Sequence, residues 1–168
     1  MSTRTHIAVI GVGNEFRRDD GVGWAVVELL RKRAEAGALP PDTVFATCDG
    51  DPGRLIALWE SAALAVVVDA AHAHPATPGR IHRLELDSGH LDRPGTTSSH
   101  GLGLGEAVEL ARVLGLLPNR LVVYAVEGAD GSFGTGLSPA VAASVDPLVS
   151  AVEDELARHQ DELAGGRS

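Results

Sequence analysis

Short apolar runs that alternate with helical patterns are the feature that most limits how this chain can fold. Residues 7–12, 43–48 and 64–68 are rich in apolar and β-branched side chains, which is typical of strands buried in a sheet. Between the first two runs, residues 22–30 repeat their apolar side chains at helical spacing. Strands and helices in alternation predict an α/β fold with a mostly parallel sheet.

The connection after the third run is too short for another parallel crossover. It reads AAHAHPATPG, contains two prolines and leads to an alternating segment at residues 80–86. A parallel neighbour would need a crossover of about a dozen residues or more, usually with a helix. We therefore expect the fourth strand to be antiparallel and to lie at an edge of the sheet.

The last third of the chain predicts a fifth strand between two helices. A helical stripe at residues 104–111 precedes the strand at 119–127. Ser138-Pro139 is a typical helix start, and we expect Pro147 to kink or restart that last helix. The pattern predicts a three-layer α/β/α fold around a five-stranded sheet.

Composition restricts the chain further. Its 168 residues suggest one domain, at 1–164, and we expect a disordered tail at 165–168. A net charge of −9 argues against a nucleic-acid partner, since phosphate binding needs a basic face. Cys48 is the only cysteine, which excludes an internal disulfide.

The sequence also predicts where the protein is found. Without a signal-peptide pattern or an apolar run near the roughly 20 residues that span a bilayer, we expect a cytoplasmic protein with no membrane partner.

The segment IAVIGVGNEFRRDDGVG, residues 7–23, begins like a dinucleotide-binding turn but does not complete it. Gly11 and Gly13 match the first two glycines of G-x-G-x-x-G, whereas Phe16 stands at the third. The second strand lacks an acid at the ribose-binding position, and the chain has no Gly-Lys-Ser for a P-loop. We therefore expect no organic cofactor.

Acidic residues follow three of the predicted parallel strands, at the sheet edge where α/β proteins bind ligands. Asp19 and Asp20 follow the first strand, Asp49 follows the second and Asp69 ends the third. His100 lies at the start of the helix that leads to the fifth strand. One histidine and two carboxylates are a reasonable ligand set for a divalent ion such as nickel or zinc.

Most of these residues also have a purely structural interpretation. Asp19 or Asp20 could cap the first helix, Asp49 could shape a turn and His100 could be a surface residue. Asp69 is harder to explain in this way, because a carboxylate directly after Ala-Val-Val-Val is costly to desolvate.

Other candidates for chemistry are weaker. His72 and His74 form an H-x-H pair that could bind metal, but in a proline-rich loop solvated histidines are more common. Glu127, at the end of the fifth strand, could support the site. The chain has no G-x-S-x-G for a nucleophilic serine, and Cys48 is better explained as a small core residue.

Four motifs in this order and at this spacing resemble the [NiFe]-hydrogenase maturation proteases. They are GVGNEFRRDDGVG after the first strand, CDGDPGR after the second, VVVDA ending the third and SSHGLGL opening a helix. Each is weak alone, but together they are specific, and the match extends from residue 7 to about residue 152. The resemblance implies strand order 2-1-3-5-4 with strand four antiparallel.

The resemblance also implies a function. A protease of this family removes a short C-terminal extension from the precursor of the [NiFe]-hydrogenase large subunit once nickel is inserted, which completes hydrogenase maturation. The family is grouped with aspartic-type endopeptidases, although the spacing here gives no paired-Asp dyad. Nickel would come from the substrate. Two other functions stay open: a non-catalytic nickel-binding assembly factor, or a metal-dependent hydrolase with another substrate.

The metal ligands implied by the resemblance are Asp20, Asp69 and His100. On this interpretation the ion polarises the scissile carbonyl or a water molecule, and Asp20 or Asp69 is the catalytic general base. Many relatives carry Glu where this chain has Asp20, so the carboxylate here is one methylene shorter.

We assign substrate-binding roles to Asn14, Asp49 and Gly50, which lie in the first two motifs. The family's Asp-Gly-Gly turn is Asp49-Gly50-Asp51 in this chain, so the second glycine is absent. Gly11 and Gly13, in the first motif, are expected to let the backbone turn tightly and to leave space at the sheet edge. We expect this turn to present Asp20 to a metal.

Overall fold

The computed structural model describes residues 6–37, 39–87 and 104–165. A 3-10 helix at Arg18–Gly21 runs directly into the first α-helix. In chain order the elements are β1 Ile7–Val12, α1 Val22–Glu35, β2 Thr43–Cys48, α2 Pro52–Trp59, β3 Leu64–Ala71, β4 Ile81–Asp87, α3 Gly105–Leu114, β5 Arg120–Glu127 and α4 Pro139–Gly165.

The five strands form one sheet in the order β2-β1-β3-β5-β4. The pairs β1–β2, β1–β3 and β3–β5 are parallel, whereas β4 runs antiparallel to β5 at the edge. The expected strand order and antiparallel edge strand are therefore confirmed. The carboxyl ends of the four parallel strands meet at one edge, as the placement of the acids requires.

Both faces of the sheet are covered, and β3 at its centre is buried along its whole length. Val66 belongs to the core beneath α1 and α4, while Val67 belongs to the core beneath α2 and α3. Burying one such aliphatic side chain contributes roughly 1.5–3 kcal/mol. Continuous apolar strands are thus explained by two cores, and the three-layer α/β/α prediction is confirmed.

Helices α1 and α2 begin with different caps. Asp51 caps α2, because its Oδ2 accepts a hydrogen bond from the backbone N of Arg54 at 3.0 Å. The interpretation of Asp19 or Asp20 as the cap of α1 is wrong: Gly21 takes that position without any side-chain cap. Both acids are therefore left for other contacts.

Helix α4 does not restart at Pro147. It continues as one helix from Pro139 to Gly165, because Leu148 and Val152 keep its apolar face on the sheet. Pro147 itself lies on the exposed face, where water can satisfy the carbonyl that lost its helical donor. Residues 166–168 of the expected tail lie outside the described residues. Within the described ranges, no helix is long and apolar enough to cross a membrane.

A buried carboxylate, Glu155, joins α4 to strands β4 and β5. It accepts hydrogen bonds from the Tyr124 hydroxyl at 2.9 Å and from Arg83 Nε at 2.8 Å. Arg158 and Arg120 approach it at 3.3 and 3.6 Å. Burial alone would raise the pKa of Glu155, but the hydrogen bonds from Arg83 and Tyr124 and the nearby positive charge outweigh burial and lower that pKa.

Glu155→Gln is expected to lower the free energy of unfolding at pH 7 by about 2 kcal/mol, because the arginines lose their buried partner. The stabilisation is present above the usual carboxyl pKa of 4.5 and is lost as pH falls through the lowered folded-state pKa. Urea denaturation at several pH values measures it. Glu153→Gln is the control. Glu153 lies on α4 like Glu155, but it pairs with the half-exposed Arg33 of α1, and its loss should cost under about 1 kcal/mol. If the difference in unfolding free energy between the wild type and Glu155→Gln persisted in acid, an ionised Glu155 would not be the source of the stabilisation.

Candidate active site

Although Asp19 and Asp20 are adjacent, their environments differ. Asp19 is buried, and its carboxylate accepts four hydrogen bonds from the loop between β5 and α4. The donors are the backbone N of Ala129 at 2.8 Å, of Asp130 at 2.9 Å and of Ser138 at 2.7 Å, and the Ser138 hydroxyl at 2.8 Å. Burial would raise the pKa of Asp19, but these donors outweigh burial and lower it. Asp19 is therefore a structural residue.

Backbone contacts reinforce the connection between these two loops. The N of Arg18 donates to the carbonyl of Gly134 at 3.1 Å, and the N of Gly134 donates to the carbonyl of Phe16 at 2.8 Å. The N of Asp19 donates to the carbonyl of Asp130 at 3.0 Å. The loop that carries Asp20 is thus fixed to the loop between β5 and α4.

Asp20 and Asp69 line one cleft at the carboxyl ends of β1 and β3. Asp20 is half-buried, and its Oδ2 accepts a hydrogen bond from the backbone N of Asn14 at 2.9 Å. Asp69 is only 4% exposed. The cleft has a volume of about 290 Å³, and its other lining residues are Val12, Gly13, Asp49, Gly50, Ala70 and His72. The structure therefore brings together the two acids that the sequence singled out.

Asp69 binds its proton unusually tightly. Burial is the main cause and the negative charge of Asp20 adds to it; together they raise the pKa of Asp69 to about 8. The backbone N of Ala70, which donates to Asp69 Oδ1 at 2.8 Å, opposes the shift only in part. At neutral pH the Asp69 carboxyl therefore holds a proton, beside a second carboxyl that faces the same cleft. Such an arrangement is suited to general acid and base chemistry.

Two glycines hold the carboxylates in place. Gly13 has φ of +135°, and a Cβ there would overlap the backbone oxygen of Asp20. A Cβ at Gly23 would overlap the carbonyl oxygen of Val68, the residue before Asp69. The tight turn that the sequence predicted at Gly13 is therefore present beside Asp20. That this turn presents Asp20 to a metal stays a prediction.

The three predicted substrate-binding residues differ in position. Asp49 and Gly50 line the cleft. Asp49 also accepts a hydrogen bond from the backbone N of Asp51 at 3.1 Å, which shapes the turn. The Asn14 side chain accepts from the backbone N of Phe16 at 2.9 Å, so it organises its own loop. Their role with substrate stays a prediction.

The predicted third metal ligand, His100, lies outside the described residues. Within residues 6–37, 39–87 and 104–165, no three His, Cys, Asp or Glu side chains form a group that could hold a metal ion. The described part of the chain contributes Asp20 and Asp69 to the predicted site.

The loop that follows β3 contributes more to the site than its sequence indicates. His72 and His74 are exposed, as expected, but both line a second cleft of about 400 Å³, opposite residues 128–131. The two clefts share Asp20, Ala70 and His72, so they form one continuous depression. The position of His72, three residues after Asp69, was the signal in the sequence.

Glu127 supports that loop and does not line either cleft. Its carboxylate accepts a hydrogen bond from the backbone N of Thr77 at 2.9 Å and contacts His82 Nε2 at 2.7 Å. Its carbonyl accepts from the N of Gly79 at 2.7 Å. Glu127 therefore holds the wall of the second cleft in place.

Comparison with known proteins identifies the family. The family model described as hydrogenase maturation protease matches residues 25–155. The chain belongs to this family. Membership makes the protein a hydrolase of the endopeptidase class.

Relatives in sequence and structure agree. The Hydrogenase 2 maturation protease of Escherichia coli is 27% identical over 147 residues, which cover 87% of each chain. The expression/formation protein HupD of Bradyrhizobium diazoefficiens is 27% identical and covers 88% of this chain and 76% of that protein. The hydrogenase maturating endopeptidase HybD from Escherichia coli superposes with a TM-score of 0.71 at 24% identity and covers 92% of this chain and 94% of that one. HybD from Thermococcus kodakarensis gives 0.68 at 19%, with coverage of 90% and 99%. The two solved structures share the fold of this chain.

Asp19→Asn is expected to lower the free energy of unfolding by about 3 kcal/mol, because the amide nitrogen would face a buried N–H donor. Asp20→Asn is the matched control, with the same change one residue later. It should cost under about 1 kcal/mol, because an amide oxygen can still accept from Asn14. Urea denaturation of both variants measures the difference. Equal losses of unfolding free energy would contradict the structural role of Asp19 and its absence at Asp20.

Proposed function

We propose that this protein removes the C-terminal extension from the precursor of a [NiFe]-hydrogenase large subunit after nickel has been inserted. The observation that supports the proposal is the pair Asp20 and Asp69 in one cleft, within a chain of the maturation protease family. The cleavage would activate the hydrogenase and complete its maturation. We place the reaction in the cytoplasm, with the precursor as partner.

In the proposed mechanism, nickel belongs to the substrate. Asp20, Asp69 and His100 bind the ion of the precursor and leave coordination positions to groups of the substrate. The ion polarises the scissile carbonyl or a water molecule. Binding of the ion would release the proton that Asp69 holds in the free protein. Asp20 or Asp69 would then take the proton of the attacking water and return it to the leaving amine. Binding of the inserted nickel would explain why cleavage follows insertion.

Asp69→Asn is expected to abolish processing of the nickel-loaded precursor and to leave the fold intact. The amide keeps the size of the side chain and can still accept from the N of Ala70. It also removes a carboxyl that is buried beside Asp20, so we expect the melting temperature to be equal or higher. Gel mobility of the precursor and a thermal melt measure the two effects.

The control is Asp42→Asn, because Asp42 is exposed in the connection that precedes β2. This variant should process the precursor at the wild-type rate. Wild-type processing by a folded Asp69→Asn protein would remove Asp69 from the reaction. If wild-type protein binds nickel and leaves the precursor uncut, the assembly-factor interpretation would replace the protease.

His100→Ala is expected to weaken nickel binding at least about tenfold, because loss of one of three ligands removes most of the affinity. The matched control is His72→Ala with His74→Ala, which removes two imidazoles from the wall of the neighbouring cleft. Isothermal titration of the free protein with nickel compares them at one pH. A large loss in the control with none in His100→Ala would move the nickel ligand to the loop after β3.

A further inference from the structure

Two phenylalanines project from the loops beside the cleft. Phe16 is 59% exposed and Phe133 is 76% exposed. Phe16 precedes Asp20 by four residues, and Phe133 follows Gly131, which lines the second cleft, by two. Large apolar side chains that are exposed together often mark an interaction surface. Here they lie next to the depression that contains the two carboxylates.

The two loops hold these rings in fixed positions. The carbonyl of Phe16 accepts from the N of Gly134 at 2.8 Å, and Arg17 forms an isolated β-bridge with Gly134. The four hydrogen bonds to Asp19 fasten the same two loops a few residues away. A partner would therefore meet a preorganised surface, which lowers the entropic cost of binding.

A positively charged side chain packs on one of the two rings. The guanidinium of Arg17 stacks on the ring of Phe133, at 4.3 Å from its centroid, and Arg17 is exposed. The whole chain carries a net charge of −9, so this positive group stands out from an acidic protein. A complementary partner carries an apolar patch bordered by acidic side chains.

We propose that Phe16, Arg17 and Phe133, which we term the aromatic rim, form the docking surface for the folded body of the precursor. The inference rests on the proposed function and extends it from the cleft to the neighbouring surface. The cleft of about 290 Å³ holds a few residues of substrate, so selectivity for one protein needs contacts outside it. A second copy of this chain fits the rim less well, because two chains of net charge −9 repel each other.

Binding of the precursor to an inactive protease tests the rim without cleavage. In an Asp69→Asn background, Phe16→Ser with Phe133→Ser should weaken the precursor's Kd about tenfold or more, as loss of aromatic anchors does. The control is Val113→Ser with Leu114→Ser. These residues are 72% and 57% exposed at the end of α3, opposite the edge that carries the site. The control should change Kd less than about twofold.

Charge is tested separately by Arg17→Glu. This variant should weaken binding and should flatten or reverse the dependence of Kd on salt, because an attraction to acidic side chains becomes a repulsion. Arg17→Lys, which keeps the charge, should retain the salt dependence. If the affinity of Arg17→Glu equals that of the wild type, the acidic character of the partner surface is wrong.

Kinetics with the active enzyme separates docking from an effect on the cleft. The serine pair should raise KM for precursor processing and leave kcat within about twofold, because saturating precursor restores the complex. A fall in kcat at unchanged KM, an unchanged Kd, or a wild-type dimer that the serine pair converts to monomer would each overturn the proposal. Rim-dependent binding by a wild-type protein that never cuts would keep the docking surface and overturn the protease function.

Discussion

The carboxylate of Asp19 organises the functional edge of this molecule. Four donors from the β5–α4 loop surround it, and an ionised group with this many donors resists both protonation and movement. Asp20 follows it directly, so the position of the Asp20 carboxylate, which we propose to be reactive, depends on a charge buried one residue earlier. The rim aromatics are carried by the same two loops. Cleft, carboxylate and rim are therefore positioned by one set of hydrogen bonds.

Asp69 shows a different use of the fold. It continues a strand whose other side chains are apolar and buried, and its carboxyl holds a proton because burial and the charge of Asp20 both disfavour ionisation. The neighbouring hydrophobic residues, with two cores behind them, supply the stability that such a group removes. A sheet with both faces covered can hold an acid of this kind at the end of its central strand.

Much of this could be predicted from the sequence, because strand burial and connection length are local properties. Continuous apolar runs gave the two-sided sheet, and the short link before β4 gave its antiparallel edge. The division of labour between Asp19 and Asp20 could not be predicted, since it depends on donors more than a hundred residues away. The place of His72 on the cleft wall was missed for the same reason: the opposite wall comes from residues 128–131. The possible restart of the last helix at Pro147 does not occur. The sequence alone could not exclude it, because the exposed position of Pro147 depends on how α4 packs.

Adjacent and chemically identical, the two aspartates are subject to separate evolutionary constraints. On the proposed mechanism, a lineage that no longer needs proteolysis can replace Asp20 and remain folded, whereas replacement of Asp19 removes the hydrogen bonds that join the two loops of this edge. Among homologues, an aspartate at the first position with a neutral residue at the second would identify a pseudoenzyme that keeps the surface of a protease. On that mechanism, an aspartate at the first position indicates that the two loops keep their connection, and an acid at the second position indicates that the proposed chemistry is retained.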